Sequence, residues 1–415
     1  MPPRRALDWL NFFLTDVRGC LGPYFGIFLL TQEHWSAATI GLVMTVGAMV
    51  GLVLQAPGGA FIDAVPFKRA SVLVSLVVLA TSATAMALWP IVAVVTVANT
   101  AMAVVGDALG PAVTAITLGV LGRRGLAAQL GRNSAMDHAG NVFIAATAGF
   151  VGWWWPQRAV FFLAPFFACL AALAVLAIPA AAIDHARARG LDAPRPDGQV
   201  RLTGWFELIQ HRPLLIFAVC VALFHFANAP MLPLVGQKLA LAHAGEGTAL
   251  MSACIIAAQV VMLPVALLVA RKAQTWGHGP IFLAALAILP IRGVLYTLSD
   301  DRFWLVGVQL LDGIGAGILG VLTPLMLADL THGTGRYNAS QGIVATVQGV
   351  SVAISNAVVG LIVVRAGYDA AFVSLAAIAL IALLAFLFIV PETRAESVLD
   401  AGTRGGPSNA GLRNR

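Results

Sequence analysis

Six ionisable side chains lie inside long apolar stretches of the chain, where a charged group is costly to bury. They are Asp16, Arg18, Asp107, His225, Arg292 and Asp312. A carboxylate or an imidazole can bind and release a proton, and a guanidinium group can bind an anion. Ionisable groups at membrane depth are rare and by default functional. We therefore take these residues as the first candidates for binding a proton or a charged ligand.

Polar residues in two further apolar stretches repeat at helical spacing. One stripe consists of Asn133, Asp137 and Asn141, spaced four apart, and the other of Gln341, Gln348 and Ser355, spaced seven apart. Residues at these spacings share one face of a helix. His138, beside Asp137, and Asn228, on the helix face of His225, are further candidates. Each stripe either lines a binding site or hydrogen-bonds a neighbouring helix, and the sequence leaves both interpretations open.

The elements that must position these residues are long apolar helices. The chain has 415 residues, of which 59% are apolar and 11% are charged, whereas a soluble domain carries about 25% charged residues. Apolar runs of about 18 residues or more predict membrane-spanning helices. We predict an all-α integral membrane protein with twelve transmembrane helices, at 8–31, 36–62, 70–89, 91–120, 133–153, 158–180, 213–237, 247–270, 280–299, 303–330, 338–364 and 370–390.

The basic residues predict the orientation of these spans. With the N-terminus placed in the cytoplasm, only four of the 25 lysines and arginines fall on the opposite side, namely Arg158, Lys238, Arg302 and Arg365. Such a bias is typical of membrane proteins, whose cytoplasmic loops are the basic ones. We therefore expect a multi-pass protein of the bacterial inner membrane with both termini in the cytoplasm. The net charge of +6 is explained by this bias, and we expect no nucleic-acid partner.

The two halves of the chain resemble each other. A shift of 207 residues places Pro23 on Pro230, Met44 on Met251, Pro57 on Pro264 and Arg18 on His225, and a shift of 205 places Asp107 on Asp312. An ordered series of this kind predicts two pseudo-symmetric six-helix bundles related by an axis along the membrane normal. The predicted units are an N-terminal bundle at 1–181, a cytoplasmic linker at 182–212, a C-terminal bundle at 213–391 and a disordered cytoplasmic tail at 392–415.

The turn between the second and third spans has a glycine, an acid four residues later and then a basic pair. These residues are Gly59, Asp63, Lys68 and Arg69. The arrangement resembles the loop after the second span in the major facilitator superfamily of transporters, with Ala64 in place of that loop's first basic residue. The resemblance covers about residues 8–390 and implies that the four residues gate the cytoplasmic side. The alternative is an ordinary turn with a solvated charge pair.

The resemblance implies a secondary active transporter, which moves a small molecule by alternating access around a midplane site. Spans 1 and 7 line the central cavity in that family, so we expect Arg18 and His225 to face each other across it. A proton gradient is the expected energy source, and export by antiport is slightly favoured. The candidate proton carriers are Asp16, Asp107, His225 and Asp312. The alternative is a proton symporter that imports a small organic anion, motivated by Arg18 and Arg292 at depth.

Other functional classes have little support. The sequence contains no His-Glu-x-x-His motif, no Gly-x-Ser-x-Gly motif and no Gly-x-x-x-x-Gly-Lys-Ser/Thr loop for ATP. We expect a protein that is not an enzyme, uses no metal or other cofactor, acts as a monomer, and has the lipid bilayer and a small-molecule substrate as partners. For Arg292, a structural ion pair with Asp312 or another acid is slightly favoured over contact with substrate.

Overall fold

The computed structural model describes residues 2–15, 22–64, 67–184, 212–330 and 337–389, and the regular structure in these ranges is helical throughout. The α-helices are α1 (Pro3–Thr15), α2 (Gly22–Thr31), α3 (Ala37–Ala64), α4 (Lys68–Leu88), α5 (Val92–Trp154), α6 (Leu163–Leu176), α7 (Arg212–Asn228), α8 (Met231–Ala242), α9 (Gly247–Trp276), α10 (His278–Leu295), α11 (Arg302–Val308), α12 (Leu310–Leu330) and α13 (Tyr337–Ile389). Short 3₁₀-helices cover Gln157–Phe162 and Ala180–Ala182. The all-α prediction is confirmed.

Helical residues occupy all twelve predicted spans, but helix ends and span ends do not always coincide. The described residues of span 1 lie in α1 and α2, whereas span 7 is divided into α7 and α8 and span 10 into α11 and α12. Conversely, α5 and α13 each carry two spans, which are joined at Gly122 (φ 66°) and Gly367 (φ 86°). A positive φ is open to glycine at little steric cost. These two glycines therefore let the chain change direction between spans with almost no connecting loop.

The break in span 7 falls at one of the prolines of the internal repeat. Pro230 directly precedes α8, and its counterpart in the repeat is Pro23 of α2. Proline has no N–H and its ring clashes with the preceding turn, so a helix tends to end before it. The two helices beside these prolines, α2 and α8, pack against each other. The paired prolines of the repeat therefore lie at a contact between the two halves.

The surface of the bundle is that of a protein surrounded by lipid. Nine stretches of the described chain are long and apolar enough to cross a bilayer, and the longest of them, Ser340–Phe388, holds spans 11 and 12. Large apolar side chains point outward, among them Phe303 at 75% exposure and Phe388 at 78%. The three tryptophans at 153–155 are also exposed, at the end of span 5, where an aromatic belt is expected at the membrane interface.

Each half of the chain contributes an apolar core. One cluster of buried residues extends from Ala6 to Ile183 in sequence, and another from Leu214 to Phe386. A third cluster crosses between the halves. The halves meet mainly along α3 with α13 and α5 with α9, and α2 of the first half also packs against α8 and α9 of the second. The predicted boundaries of the two bundles stay a prediction, since most of the 182–212 segment and all of the 392–415 tail lie outside the described residues.

Because successive spans alternate in direction, the turns between them fall on two faces of the bundle. We name the face with the start of α1, the start of α4 and Gly122 the basic face. We name the face with residues 32–36, 89–91 and 243–246 the far face. The basic face is the one predicted to be cytoplasmic.

Glycines bring the two halves into direct contact near the far face. A Cβ atom on Gly41 of α3 would lie 2.3 Å from the carbonyl oxygen of Asn356 on α13. A Cβ atom on Gly152 of α5 would lie 2.4 Å from Cγ2 of Thr248 on α9. Real Cβ atoms do not approach neighbours this closely, so both helix pairs depend on glycine for their separation. The halves are therefore closely packed at the far face.

Candidate functional site

A cavity of about 660 Å³ lies between the two halves. The first half lines it with α2, α3, α4, the first span of α5 and Phe161, and the second half with α8, the turn before it and the first span of α13. Small-molecule sites typically have volumes of about 300–1,000 Å³. Since both halves form the wall, any movement of one half against the other changes access to this cavity.

The described wall is mostly apolar and carries four polar side chains. They are Asn99, Asp107, Gln237 and Asn356. Asp107 is the ionisable residue among them. Asn99 and Asp107 are eight residues apart on α5, which places them on one helix face about 12 Å apart along the axis. Ala103 lies midway between them and also lines the cavity, so an apolar stretch separates the two polar groups.

Asp107 is an exposed carboxylate near the middle of span 4. Within the described part of the chain it has no ion-pair or hydrogen-bond partner. Gly51 on α3 makes room for it, because a Cβ atom there would lie 3.2 Å from Oδ2 of Asp107 and 3.1 Å from Cβ of Ala103. A charge away from bulk water is costly unless it is paired. This carboxylate is therefore suited to binding a proton or a cation that enters the cavity.

Two of the amide side chains in the wall are held by neighbouring helices. Nδ2 of Asn99 donates to the carbonyl oxygen of Val43 at 3.3 Å. The hydroxyl of Tyr368 donates to Oε1 of Gln237 at 3.2 Å. The Nε2 atom of Gln237 faces α2, where a Cβ atom on Gly26 would be 3.4 Å away. These contacts fix the directions in which the two amides offer hydrogen bonds.

Arg292 and Asp312, two of the predicted candidates, form an ion pair inside the second half. Arg292 is 2% exposed, and its Nη1 donates to Oδ1 of Asp312. Nε2 of Gln309 donates to Oδ2 of the same carboxylate at 3.0 Å, and the hydroxyl of Tyr296 donates to Oε1 of Gln309. Neither charged residue belongs to the described cavity wall. The structural pairing favoured for Arg292 is thus present.

Asp137 and His138 contact other helices rather than the described cavity wall. The hydroxyl of Thr15 on α1 donates to Oδ1 of Asp137 at 2.9 Å. Nδ1 of His138 lies 3.1 Å from Oε1 of Gln259, and this contact joins α5 to α9 across the two halves. Hydrogen bonding between helices, one of the two interpretations of the stripe that contains Asp137, therefore applies to Asp137, and the separate candidate His138 also contacts a neighbouring helix. A direct role in binding substrate or a proton stays a prediction.

Three more candidates lie close to the second-half wall of the cavity without being part of it. His225 and Asn228 are half-buried at the end of α7, just before the lining residue Pro230. Oδ1 of Asn228 is buried and has no hydrogen-bond partner among the described residues. Gln348 is half-buried on α13, one turn before the lining residue Val352. Their predicted roles stay predictions.

The remaining candidates are only partly described by the structure. Asp16 and Arg18 lie outside the described residues, and so do the side-chain surroundings of Gly59 and Asp63. The expected approach of Arg18 and His225 therefore stays a prediction. Lys68 is 1% exposed at the start of α4. Nη2 of Arg69 donates to the carbonyl oxygen of Leu176 at 3.1 Å, which ties α4 to the end of α6 within the first half. The gating role stays a prediction.

The sequence analysis missed the three amides of the wall. Asn99 could have been found, since it lies eight residues before Asp107 and so on the same helix face. Asn356 had a similar signal, because it lies eight residues after the candidate Gln348. Gln237 gave no comparable signal, and it reaches the cavity only because helices distant in sequence pack around it.

The fold and the cavity define a class of protein: an all-α, multi-pass membrane protein whose two repeated halves enclose a central cavity, as in secondary transporters. Solved structures show the same fold. The nucleoside transporter NupG aligns with a TM-score of 0.76 at 13% identity, covering 93% of this chain and 98% of that one. A POT family transporter in complex with 5-aminolevulinic acid aligns with a TM-score of 0.74 at 11% identity, covering 94% and 96%.

Sequence comparison gives the family. A profile described as Major Facilitator Superfamily matches residues 9–298 and 273–413. Two uncharacterized MFS-type transporters of Mycobacterium tuberculosis, from strains CDC 1551 and H37Rv, are each 48% identical over 395 residues, which is 95% of this chain and 94% of theirs. The chain belongs to the major facilitator superfamily and is a membrane transporter of the MFS type.

Proposed function

We propose that the protein is a proton-coupled secondary active transporter that moves a small molecule by alternating access, with export by antiport favoured. The observation that carries the proposal is Asp107, a carboxylate at membrane depth that lines the cavity between the halves and has no partner among the described residues. Such a group can exchange its proton with the solution that reaches the cavity. Proton binding and substrate binding then occur in the same space.

Sharing one cavity gives a physical route to coupling. If a proton on Asp107 and a substrate in the cavity exclude each other, each lowers the affinity of the other by the same factor. A gradient of protons then drives substrate the other way once the two halves rock. The glycine contacts of Gly41 and Gly152 at the far face mark the surfaces that separate when the cavity opens there.

The rival proposal, import of a small organic anion by proton symport, loses one of its two supports. It relied on Arg18 and Arg292 as anion ligands at depth. Arg292 is engaged by Asp312 and does not belong to the described cavity wall. Arg18 lies outside the described residues, so the rival now depends on that residue alone.

Several further expectations belong to the same proposal. The proton gradient is the energy source, and neither a cofactor nor an enzymatic activity is involved. The protein acts as a monomer in the bacterial inner membrane with the basic face toward the cytoplasm. The bias of the lysines and arginines supports this orientation, and the family assignment supports transport rather than catalysis.

The test uses purified protein in liposomes that contain a pH-sensitive dye. Compounds that raise the melting temperature of the protein are first selected from a chemically diverse panel, because a ligand that binds the folded state stabilises it. Each selected compound is then added with and without an imposed pH gradient. We expect compound flux to follow the gradient and to be accompanied by proton flux. Flux that is equal with the gradient, without it and with an uncoupler would contradict the proposal.

A further inference from the structure

The charge on the cavity wall limits which ligands can enter. Of the described residues that line it, Asp107 is ionisable, and no lysine, arginine or histidine is among them. At membrane depth the field of a single carboxylate is weakly screened, so its attraction for a cation and its repulsion of an anion are both large. The described wall therefore selects for positive charge.

The unpaired state of this carboxylate contrasts with the other charges of the bundle. Arg292 is charge-paired with Asp312 through its Nη1 within the second half, and Lys238 near the far face is held by Asp300 at 2.7 Å and Asp369 at 2.8 Å. Charged groups with a structural role here carry their partner in the fold. Asp107 carries none among the described residues, which leaves its carboxylate free, within that part of the chain, to pair with a ligand or to bind a proton.

The rest of the wall indicates the shape of the ligand. Between Asp107 and the amide of Asn99 lie about 12 Å of helix, lined by small apolar residues such as Ala103. Met44 and Met102 extend this apolar surface, and methionine side chains adapt to varied apolar shapes. An elongated molecule would fit this wall if its charged end lay at Asp107, its apolar body along Ala103 and its hydrogen-bonding end at Asn99.

We infer that the cavity takes an amphipathic organic cation, with Asp107 as its counter-ion and the apolar surface around Ala103 holding its body. The inference rests on the proposed transport function and names the substrate class of the same cavity. It opposes the organic-anion alternative, and it agrees with antiport, since a cation and a proton compete for one carboxylate.

The experiment compares two ions of the same shape and opposite charge, tetraphenylphosphonium and tetraphenylborate. Purified protein in lipid nanodiscs is equilibrated with each ion, and saturable binding is measured above the binding to empty nanodiscs. We expect the phosphonium to bind at least about tenfold more tightly than the borate, because only the phosphonium gains an ion pair. Asp107→Asn should lose at least about tenfold of the phosphonium affinity by the same argument.

Three variants serve as controls. Asp369→Asn removes a far-face carboxylate with 63% side-chain exposure and should leave phosphonium binding unchanged. Asp107→Glu keeps the charge and should keep the preference for the cation, which covers the case in which Asp107→Asn does not fold. Arg18→Ala is the control for the anion alternative, which depends on Arg18 as its ligand.

Two outcomes would overturn the inference. One is unchanged phosphonium binding in a folded Asp107→Asn variant. The other is tighter binding of the borate to the wild-type protein, with loss of that binding in Arg18→Ala, which would make the cavity an anion site. Nanodiscs hold no gradient, so this result is independent of the liposome test. Proton-driven flux of another compound would keep the proposed function even if the substrate class were wrong.

Discussion

Asp107 and Asp312 fall on each other in the internal repeat, yet the two halves of the molecule use them differently. In the first half, Asp107 is exposed on the cavity wall without a partner in the described chain. In the second half, Asp312 is held by Arg292 and Gln309 away from the described wall. Equal positions in the repeat therefore do not give equal surroundings, and the surroundings decide what a carboxylate can bind.

The difference has a simple origin in the neighbouring span. The shift of 205 residues that places Asp312 on Asp107 places Arg292 on Ala87, a fully buried residue near the end of α4. Span 3 thus offers a methyl group where span 9 offers a guanidinium group. We interpret the first half as the one that exchanges ions with the cavity, and the second half as the one whose buried charges are already matched.

The largest expected effect is the loss of proton-coupled flux when Asp107 is neutralised, which would distinguish its role from that of Asp312. Asp107→Asn should lower proton-coupled flux in liposomes by about two orders of magnitude, the scale on which loss of an essential proton-transfer group acts. The variant should melt at nearly the wild-type temperature, since the carboxylate has no partner in the described fold. Full flux in this variant would end the assignment of the coupling role to the first half.

The second expected effect is a loss of stability when Asp312, rather than Asp107, is neutralised. Asp312→Asn leaves the guanidinium of Arg292 buried without its counter-charge, and breaking a buried pair in this way typically costs about 3–5 kcal/mol. We expect a large drop in melting temperature in detergent. The double variant Arg292→Leu with Asp312→Leu should recover most of the loss, because well-packed apolar residues often replace a buried ion pair without penalty.

Two stability results would contradict this contrast between Asp107 and Asp312. A folded, stable Asp312→Asn protein that has lost proton coupling would assign Asp312 a functional role instead of a structural one. A double variant as unstable as the single one would mean that the pair itself, and not the unpaired arginine, determines stability.

A third prediction concerns the surface along which the two unlike halves separate. Gly41→Val places a side chain where a Cβ atom alone would be 2.3 Å from the backbone of Asn356, so the halves cannot pack closely at the far face. We expect a cysteine introduced at Asn99, in a background without the native cysteines, to react several-fold faster with a membrane-impermeant maleimide applied from that side.

The matched control for this third prediction is Gly307→Val, since a Cβ atom on Gly307 meets nothing within 4 Å. It should leave the labelling rate unchanged. Equal labelling in the Gly41→Val and wild-type proteins would mean that the far-face contact is not part of the opening movement.

Much of the fold could be predicted from the sequence, because lipid imposes a simple rule on composition. Spans need long apolar runs, and the matching of Pro23 with Pro230 indicated the repeat. The breaks within spans 7 and 10 were not predicted. Each of these spans is a single apolar run in the sequence, and the interruption of a helix depends on local backbone geometry and on the packing of its neighbours.

The candidate site was only partly predictable. Asp107 was found because a carboxylate in an apolar run is conspicuous, and the same reasoning also selected Asp312 and Arg292. Hydropathy cannot distinguish a charge that faces a cavity from one that faces an opposite charge on another helix. That distinction depends on the rotation of spans 4, 9 and 10 about their axes, which only the assembled bundle determines.

The smallest expected effect tests whether the space beside Asp107 is part of its function. A Cβ atom on Gly51 would lie 3.2 Å from Oδ2 of Asp107, close enough that the carboxylate has to shift by a few tenths of an ångström. Gly51→Ala should weaken phosphonium binding about two- to fivefold, or about 0.4–1 kcal/mol, with little change in melting temperature. The control is Gly110→Ala. Gly110 lies on the same helix as Asp107, and the space around its Cβ position is open. Identical affinities in the two variants would show that Asp107 does not depend on the gap left by Gly51. The contrast between the two halves would then rest on the exposure of Asp107 to the cavity and on the missing counter-charge in span 3.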